Sequence, residues 1–525
     1  MKKFLVVAAI LTPALHAQNQ PDRLEWFRDQ GFGLFIHWSV DSQLGTVISH
    51  SLAGASDDYT NRFFTELPKT FNPRKFHPED WASLARLAGV RYAVFTAKHH
   101  SGFAMWETNT TNFGINRTPF QKDIFGDVLR AFREQGIAPG VYFSPDDFHW
   151  LHENNIPVNR GPEFGPPSHP GLLALDQAQL KELMTRYGPI DVVFLDGAPE
   201  GLREEAWNLQ PKTVVTRGAM TTPEQYLPGV PLEGAWEACI TMGTSWQYQP
   251  RNEVYKSGYE LIRLLFETRA KGGNLLLNVG PKPDGELPIE QEERLRELAL
   301  WMFVNGESIY GVRPWVVTNE QTVWFTKKKD GTALYAIIAE PWKRGDWKDF
   351  VIRSARATDK TEVTVLGQND KVLEYSKIVP KTTWKQEADG LHIHAMFAQR
   401  LQDNYKWPNP LVLKLTNVQP ALTPPRVETT TATRNGSGVT LQATVHSLGD
   451  AETLEVSFEY RSLKGLDVNE RSGTWQVTPS RRISAPGDFS ADVSAWEAGV
   501  PYEFRAVVKH PVLTMYGESK KVTLR

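Results

Sequence analysis

Short apolar runs alternate with longer amphipathic segments through residues 21–308. The short runs are rich in β-branched and aromatic residues, and in the longer segments apolar positions recur every three or four residues, which predicts strands and helices respectively. The predicted strands cover residues 32–38, 92–96, 138–143, 191–195, 213–216, 235–241 and 274–279. The predicted helices include residues 80–87, 123–135, 174–187, 259–270 and 289–305. This alternation is typical of a parallel sheet wound with helices.

The number of these units sets the expected architecture. A parallel sheet of seven or eight units over this length has the size of a (β/α)8 barrel, the TIM barrel. A doubly wound open sheet is the alternative. No G-x-G-x-x-G sequence follows the first predicted strand, so the nucleotide site that such a sheet often carries is missing. We therefore expect an α/β chain with a catalytic (β/α)8-like barrel over residues 21–308.

The pattern changes after Gly311 to short alternating strands, such as residues 322–325 and 333–338. Turn-forming residues separate these strands, which predicts a β-sandwich over residues 309–418. The proline-rich stretch 419–425 predicts a stiff linker. Strands predicted at 439–445, 453–460 and 502–508 then indicate a second, small C-terminal β-sandwich-like domain over residues 426–525.

The N-terminus has the order of a secretory signal peptide. Lys2 and Lys3 precede an apolar run over residues 4–15, and Ala17 precedes polar residues, so residues 1–17 are the predicted signal. A short membrane anchor is the alternative, although a run of this length is too short to span a bilayer. We expect an exported protein, periplasmic or secreted, whose mature chain does not associate with a membrane.

Charge and cysteine content narrow the function further. Lys and Arg number 58 against 61 Asp and Glu, for a net charge of -3, so no overall basic field would attract nucleic acid. Cys239 is the only cysteine, which excludes an intrachain disulfide and a cysteine-based zinc cluster. No motif predicts a cofactor.

Polar residues gather where six predicted strands end, and in a barrel that is where chemistry is located. These residues are His37, His99, His100, Tyr142, Asp196, Arg217 and Glu237, with Phe35 and Trp246 as large aromatic neighbours. Each alone has a structural alternative, such as a buried histidine or an aspartate that caps a helix. The adjacent pair His99–His100 cannot both face inward from a regular strand, so it must lie on the turn beyond it. The recurrence at six strand ends predicts an active site.

Two carboxylates among aromatic and hydrogen-bonding groups favour glycoside cleavage. One carboxylate attacks the anomeric carbon and the other protonates the leaving oxygen, while aromatic faces stack on the sugar. A metal-dependent hydrolase is a rival, because His37, His99, His100 and Asp196 are zinc-ligand types, but the first strand lacks a His-x-His pair. A non-catalytic sugar-binding protein is a third possibility.

Several segments resemble glycoside hydrolase family 29, the α-L-fucosidases. They are residues 33–38, 92–103, 187–197, 236–242, 245–248 and 272–281, with Asp284–Gly285. The resemblance implies a barrel followed by a sandwich, and a retaining, exo-acting enzyme that removes terminal α-L-fucosyl residues from oligosaccharides or glycoconjugates without a metal. It implies Asp196 as nucleophile and Glu237 as acid/base. It also implies that His37, His99, His100, Tyr142 and Arg217 surround the sugar. We expect Phe35 and Trp246 to bind the substrate as well.

The chain departs from the family pattern in three places. Ser101 and Gln247 replace an Asp and a Gly without removing a catalytic group. The usual Glu-Trp-Tyr after the first strand is replaced by Asp57-Asp58-Tyr59. We expect Asp57 and Asp58 to hold sugar hydroxyls, which would weaken the preference for fucose over a related L-sugar such as L-galactose. Glu233 is the alternative acid/base.

Overall fold

A computed structural model of the chain describes residues 18–251, 253–400, 409–436, 438–464, 475–494 and 496–524. The predicted signal peptide lies outside these residues. Among the described helices, none is both long enough and apolar enough to cross a membrane.

The first part of the described chain forms a parallel sheet of seven strands wound with helices. The strands are β1 (Phe32–Ile36), β2 (Tyr92–Lys98), β3 (Ala138–Phe143), β4 (Val192–Leu195), β5 (Val214–Val215), β6 (Glu237–Thr241) and β7 (Asn274–Val279). The helices are α1 (Pro21–Gln30), α2 (Asp57–Thr70), α3 (Pro78–Leu87), α4 (Ile124–Glu134), α5 (Phe148–Glu153), α6 (Pro170–Arg186), α7 (Arg203–Leu209), α8 (Gly258–Ala270) and α9 (Ile289–Asn305).

The sheet is curled, and the first and last of its strands in chain order pair with each other. The strand order is β5-β4-β3-β2-β1-β7-β6, so β1 lies beside β7, and Phe32 pairs with Leu275. Side chains from all seven strands meet in one buried cluster on the inner face. In the connection between β5 and β6, segment 221–225 runs parallel to β6, where Gln225 N donates to Cys239 O at 3.0 Å and Cys239 N donates to Pro223 O at 3.0 Å.

Local sequence explains where the surrounding helices begin. Asp123 caps α4 by accepting from the Gly126 amide, and Ser257 and Glu260 form a capping box at α8. Proline opens α3 and α6, where its missing amide hydrogen costs no helical bond. The apolar faces of these helices pack on the outer face of the sheet.

Antiparallel sheets follow α9. The strands are β8 (Val312–Glu320), β9 (Val323–Lys328), β10 (Ala333–Ile338), β11 (Trp347–Ile352), β12 (Ala355–Val365), β13 (Thr383–Glu387), β14 (Gly390–Met396) and β15 (Leu411–Pro420). A five-stranded sheet, β12-β15-β10-β9-β8, faces a three-stranded sheet, β11-β14-β13, across a common core. All six residues of β10 are buried, since its second face packs toward the helices of the parallel sheet.

The last sheets have a core of their own. The strands are β16 (Arg426–Asn435), β17 (Gly438–Ser447), β18 (Leu454–Ser462), β19 (Gln476–Val477), β20 (Arg481–Ile483), β21 (Gly487–Val493), β22 (Pro501–Lys509), β23 (Thr514–Tyr516) and β24 (Lys520–Thr523). The predicted linker is shorter than expected, because Gln419 and Pro420 still pair with β12 and only residues 421–425 separate β15 from β16.

Candidate active site

Asp196 lies immediately after β4, at the carboxyl end of the parallel sheet. Its backbone amide donates to Phe143 O at 3.1 Å, which fixes it beside β3. Tyr142 Oη donates to Asp196 Oδ2 at 2.8 Å, and Arg217 Nη1 donates to Oδ1 at 3.0 Å. Side chains from the ends of three neighbouring strands therefore hold one carboxylate.

These contacts keep Asp196 ionised. Burial acts to raise the pKa of Asp196, but three opposing effects hold it below the usual range: His100, which is protonated only at the low pH where Asp196 itself titrates, Arg217, and the Tyr142 hydrogen bond. Burial beside this carboxylate raises the pKa of the Tyr142 hydroxyl well above its ordinary value. Tyr142 therefore remains a hydrogen-bond donor at neutral pH, and Asp196 presents a charged oxygen to the cavity.

His37 follows β1 and is buried as a neutral imidazole. Burial lowers the pKa of His37 to about 4. Asn278 Nδ2 donates to Trp246 O at 2.6 Å, so Asn278 Oδ1 is the acceptor that faces His37 Nδ1, also at 2.6 Å. The proton of His37 is therefore on Nδ1, and Nε2 is left as an acceptor for a ligand hydroxyl.

His99 and His100 follow β2 and both enter the site, as predicted for a pair beyond the strand. His99 Nδ1 lies 2.9 Å from Ser49 Oγ, and its ring stacks on Tyr142 at 5.3 Å with an interplanar angle of 3°. His100 Nε2 lies 3.6 Å from Asp196 Oδ2. Burial lowers the pKa of both rings, that of His100 to about 3, so both are neutral at pH 7.

An aromatic wall completes the inner part of the site. Phe35 is buried with its ring centroid 4.4 Å from that of His37, and the Trp246 ring lies 4.9 Å from His37 and 5.9 Å from Phe35. Phe194 supports Arg217, whose guanidinium lies 4.7 Å from the ring centroid. Flat apolar faces beside neutral hydrogen-bonding groups suit a sugar ring, which has one apolar face and a hydroxylated edge.

Asp57 and Asp58 lie apart from this group. They occupy the exposed first turn of α2, where Asp58 Oδ2 is 4.0 Å from Arg62 on the next turn. Among the described residues, no hydrogen bond or ion pair joins either aspartate to the residues around Asp196. The expectation that they hold sugar hydroxyls is therefore not supported by their position.

Glu237 does not lie beside Asp196 either. It is the first residue of β6, so it lies at the amino ends of the strands, opposite the edge that carries Asp196. Its side chain is 0% exposed. Its Oε2 accepts from Tyr92 Oη at 2.7 Å, and Tyr92 is itself the first residue of β2. Burial raises the pKa of Glu237 to about 7. A carboxyl group enclosed there cannot reach a leaving group, so we correct the assignment of Glu237 as acid/base.

Sequence reasoning missed several residues of the site. His50, from the loop after β1, lies 5.4 Å from the His100 ring. Arg160 Nε donates to Asp146 Oδ2 at 2.9 Å beside His100, and Glu224 Oε2 accepts from Arg217 Nη1 at 2.9 Å. These three come from long loops without hydrophobic periodicity, and a search for polar residues at strand ends does not find them.

Three side chains at the centre of the site are also possible metal ligands. Ligand atoms of His99, His100 and Asp196 all lie within 4.8 Å of one another. Arg217 donates to the same carboxylate, however, and its fixed positive charge would repel a cation bound there. The geometry favours a neutral, hydroxylated ligand over a metal ion.

Comparisons with known proteins give a consistent result. A family model described as Alpha-L-fucosidase matches residues 8–307. The plasma α-L-fucosidase of Rattus norvegicus is 30% identical over 69% of this chain and 87% of its own length. Among solved structures, α-L-fucosidase isoenzyme 1 from Paenibacillus thiaminolyticus matches with a TM-score of 0.61 and 27% identity, over 76% of this chain and 99% of that one. A Thermotoga maritima α-fucosidase in complex with fucose matches with a TM-score of 0.58 and 26% identity, over 76% and 97%.

Proposed function

This chain belongs to the α-L-fucosidase family, and from that premise we propose that it removes terminal α-L-fucosyl residues from oligosaccharides or glycoconjugates with Asp196 as the nucleophile. The observation that carries the assignment is the position of Asp196. It is an ionised carboxylate at the carboxyl end of a parallel sheet, held by Tyr142 and Arg217 and surrounded by neutral histidines.

The reaction follows from this geometry as a double displacement. Asp196 attacks the anomeric carbon while the bond to the aglycone oxygen breaks, and a water molecule then hydrolyses the fucosyl ester with net retention. Hydrogen bonds from Tyr142 and Arg217 orient the attacking carboxylate, which limits the entropy cost of alignment. Retention requires a second carboxyl group close to the first.

Sugar recognition rests on the neutral imidazoles and the aromatic wall. His37 Nε2 is available to accept a hydroxyl proton, since Nδ1 is engaged by Asn278. Trp246 lies beside His37, with the buried Phe35 ring behind them, and gives the site an apolar surface on which a 6-deoxy sugar, with its methyl group, packs without desolvating a hydroxyl. This site therefore favours fucose over L-galactose.

We also infer that the parallel sheet is a (β/α)8-like barrel. The pairing of β1 with β7 and the shared inner cluster support closure, with segment 221–225 in the position of the missing eighth strand. Separate cores support a division near residues 309 and 426 into barrel, first β-sandwich and second β-sandwich. The order of residues 1–17 supports export.

The test is chemical rescue of an Asp196→Gly variant. Removal of the nucleophile should lower kcat for an aryl α-L-fucoside by about 10³-fold or more, and added azide should restore turnover and yield β-L-fucosyl azide, with inverted configuration. A strong chelator should leave the wild-type rate unchanged. A near-normal rate in Asp196→Asn, or loss of activity with chelator, would contradict the proposal.

A further inference from the structure

Glu224 is a carboxylate that the sequence did not single out and that the structure places at the mouth of the site. Glu224 lies in segment 221–225. The residues before and after it, Pro223 and Gln225, both form backbone hydrogen bonds with Cys239 of β6. The Gln225 side chain adds a further anchor, because its Oε1 accepts from Thr241 N at 3.2 Å. Glu224 therefore projects from a fixed strand-like segment, although it lies in a long connection.

Arg217 joins Glu224 to the nucleophile. Its Nη1 donates to Asp196 Oδ1 at 3.0 Å and to Glu224 Oε2 at 2.9 Å, so these two oxygens are separated by less than about 6 Å. The carboxyl groups of retaining glycosidases are roughly 5 to 5.5 Å apart, and those of inverting enzymes are farther apart. This upper limit lies below the separation of roughly 6.5 Å or more that inverting enzymes use, so the pair fits a retaining mechanism.

Exposure separates Glu224 from Glu237. The Glu224 side chain is 43% exposed, and Asp196, deeper in the cavity, is 20% exposed. The aglycone of an exo-acting enzyme leaves toward solvent, so its acid must stand at the rim, on the solvent side of the nucleophile. Glu224 meets this requirement, whereas Glu237 is enclosed at the far end of β6.

We infer that Glu224 is the general acid/base, an assignment that rests on the proposed fucosidase function. In the first step an oxygen of Asp196 bonds to the anomeric carbon, the bond to the aglycone oxygen breaks with its electron pair, and the Glu224 carboxyl gives that oxygen its proton. In the second step the Glu224 carboxylate takes a proton from water, whose oxygen bonds to the anomeric carbon as the Asp196 ester bond breaks.

The experiment compares Glu224→Ala and Glu224→Gln with wild type on two substrates. For a fucosyl disaccharide, whose leaving group needs a proton, kcat/KM should fall by about 10² to 10⁴-fold. For 2-chloro-4-nitrophenyl α-L-fucoside, whose leaving group needs none, kcat/KM should change little, while kcat and KM fall together because the fucosyl-enzyme accumulates. Azide should raise kcat for the aryl substrate in Glu224→Ala and yield α-L-fucosyl azide, with retained configuration.

Two matched variants complete the design. Glu233→Gln tests the alternative acid/base named from the sequence, an exposed residue on the same connection that, within the described part of the chain, forms no hydrogen bond or ion pair with Asp196 or Arg217. A loss confined to the disaccharide in Glu233→Gln would overturn the assignment of Glu224. Glu237→Gln should affect both substrates equally. Equal losses for both substrates in Glu224→Ala, or no α-azide, would overturn the role of Glu224 and leave it as a support for Arg217. The proposed function would still stand if Asp196→Gly gave the β-azide, so the two failures are distinguishable.

Discussion

Tyr142 is the neutral donor to the nucleophile, and its removal tests how Asp196 is tuned. Tyr142→Phe deletes the 2.8 Å hydrogen bond to Asp196 while preserving the ring that stacks on His99. A hydrogen bond to a charged group contributes about 1.5–3 kcal/mol, so kcat/KM should fall by roughly 10- to 150-fold. The same bond lowers the pKa of Asp196, and its loss should move the acidic limb of the kcat/KM profile to higher pH.

The matched control is Tyr187→Phe. Tyr187 Oη also donates to an aspartate, Asp123 Oδ2 at 2.5 Å, but in the outer layer near α4. We expect its kcat/KM and acidic limb to match those of wild type. An unchanged acidic limb in Tyr142→Phe would show that Arg217 alone keeps Asp196 ionised.

Glu237 is expected to affect stability rather than chemistry. Burial raises the pKa of Glu237 in the folded chain to about 7 from an ordinary 4.5. The unfolded chain therefore loses this proton first, so the folded state loses stability as the pH rises from about 4.5 to 7, by about 3 kcal/mol for this group. Urea unfolding at both ends of that range should show a smaller decrease for Glu237→Gln than for wild type. Identical decreases would mean that the group is ionised when buried.

At the scale of elements, the end of β2 depends on a buried charge cluster. Lys98 is 0% exposed, and its Nζ lies 2.7 Å from Asp176 of α6 and 3.3 Å from Asp147, which caps α5. Lys98→Met leaves both carboxylates without their cation. Breaking a buried pair in this way costs about 3–5 kcal/mol, so urea unfolding should occur at clearly lower concentration.

The control for this prediction is Lys75→Met. Lys75 Nζ also contacts two carboxylates, on Asp284 and Glu286, but its side chain is 58% exposed. Its substitution should leave the unfolding midpoint nearly unchanged, since solvent screens an exposed pair. An unchanged unfolding midpoint in Lys98→Met would contradict the dependence of the end of β2 on this cluster.

The strands predicted from apolar runs show how far the sequence defines these elements. The limits of β3 and β7 agree with the prediction to the residue, because each is a short run rich in apolar residues with turn-forming residues close to both ends. Segment 221–225 reads Thr-Thr-Pro-Glu-Gln, which has no apolar alternation, so neither its pairing with β6 nor Glu224 could be predicted. The resemblance misassigns Glu237, which lies near the start of the predicted strand 235–241 and is the first residue of β6, so it does not share the carboxyl edge of the sheet with Asp196.

At the scale of the whole molecule, the site and the last sheets belong to different cores. The two clusters around the parallel sheet contain no residue beyond Val412. Residues 226–231, which follow Glu224, nevertheless line a cleft with residues 514–516, 518 and 519 of the last sheets. Leu513 is buried with Leu422 in the core of the middle sheets.

A chain that ends at Pro424 tests this division. It should fold and hydrolyse an aryl α-L-fucoside, with a lower thermal midpoint because Leu422 loses its cover. Circular dichroism and the kcat/KM of the shortened chain measure the two effects, with the full chain as reference. A folded but inactive fragment would show that residues 226–231 need the last sheets in order to hold Glu224.

The pairing of β1 with β7, the first and last strands of the parallel sheet in chain order, also sets the order of folding. Gly31 and Asn274 are joined by a hydrogen bond across 243 positions, and β1 obtains its second neighbour only when β7 has been synthesised. Contacts between such distant parts of a chain slow folding, and a strand with an unpaired edge is prone to associate with other chains. A ribosome-bound fragment that stops before residue 274 should therefore remain open and depend on chaperones, and the completed sheet should form only after synthesis has passed β7.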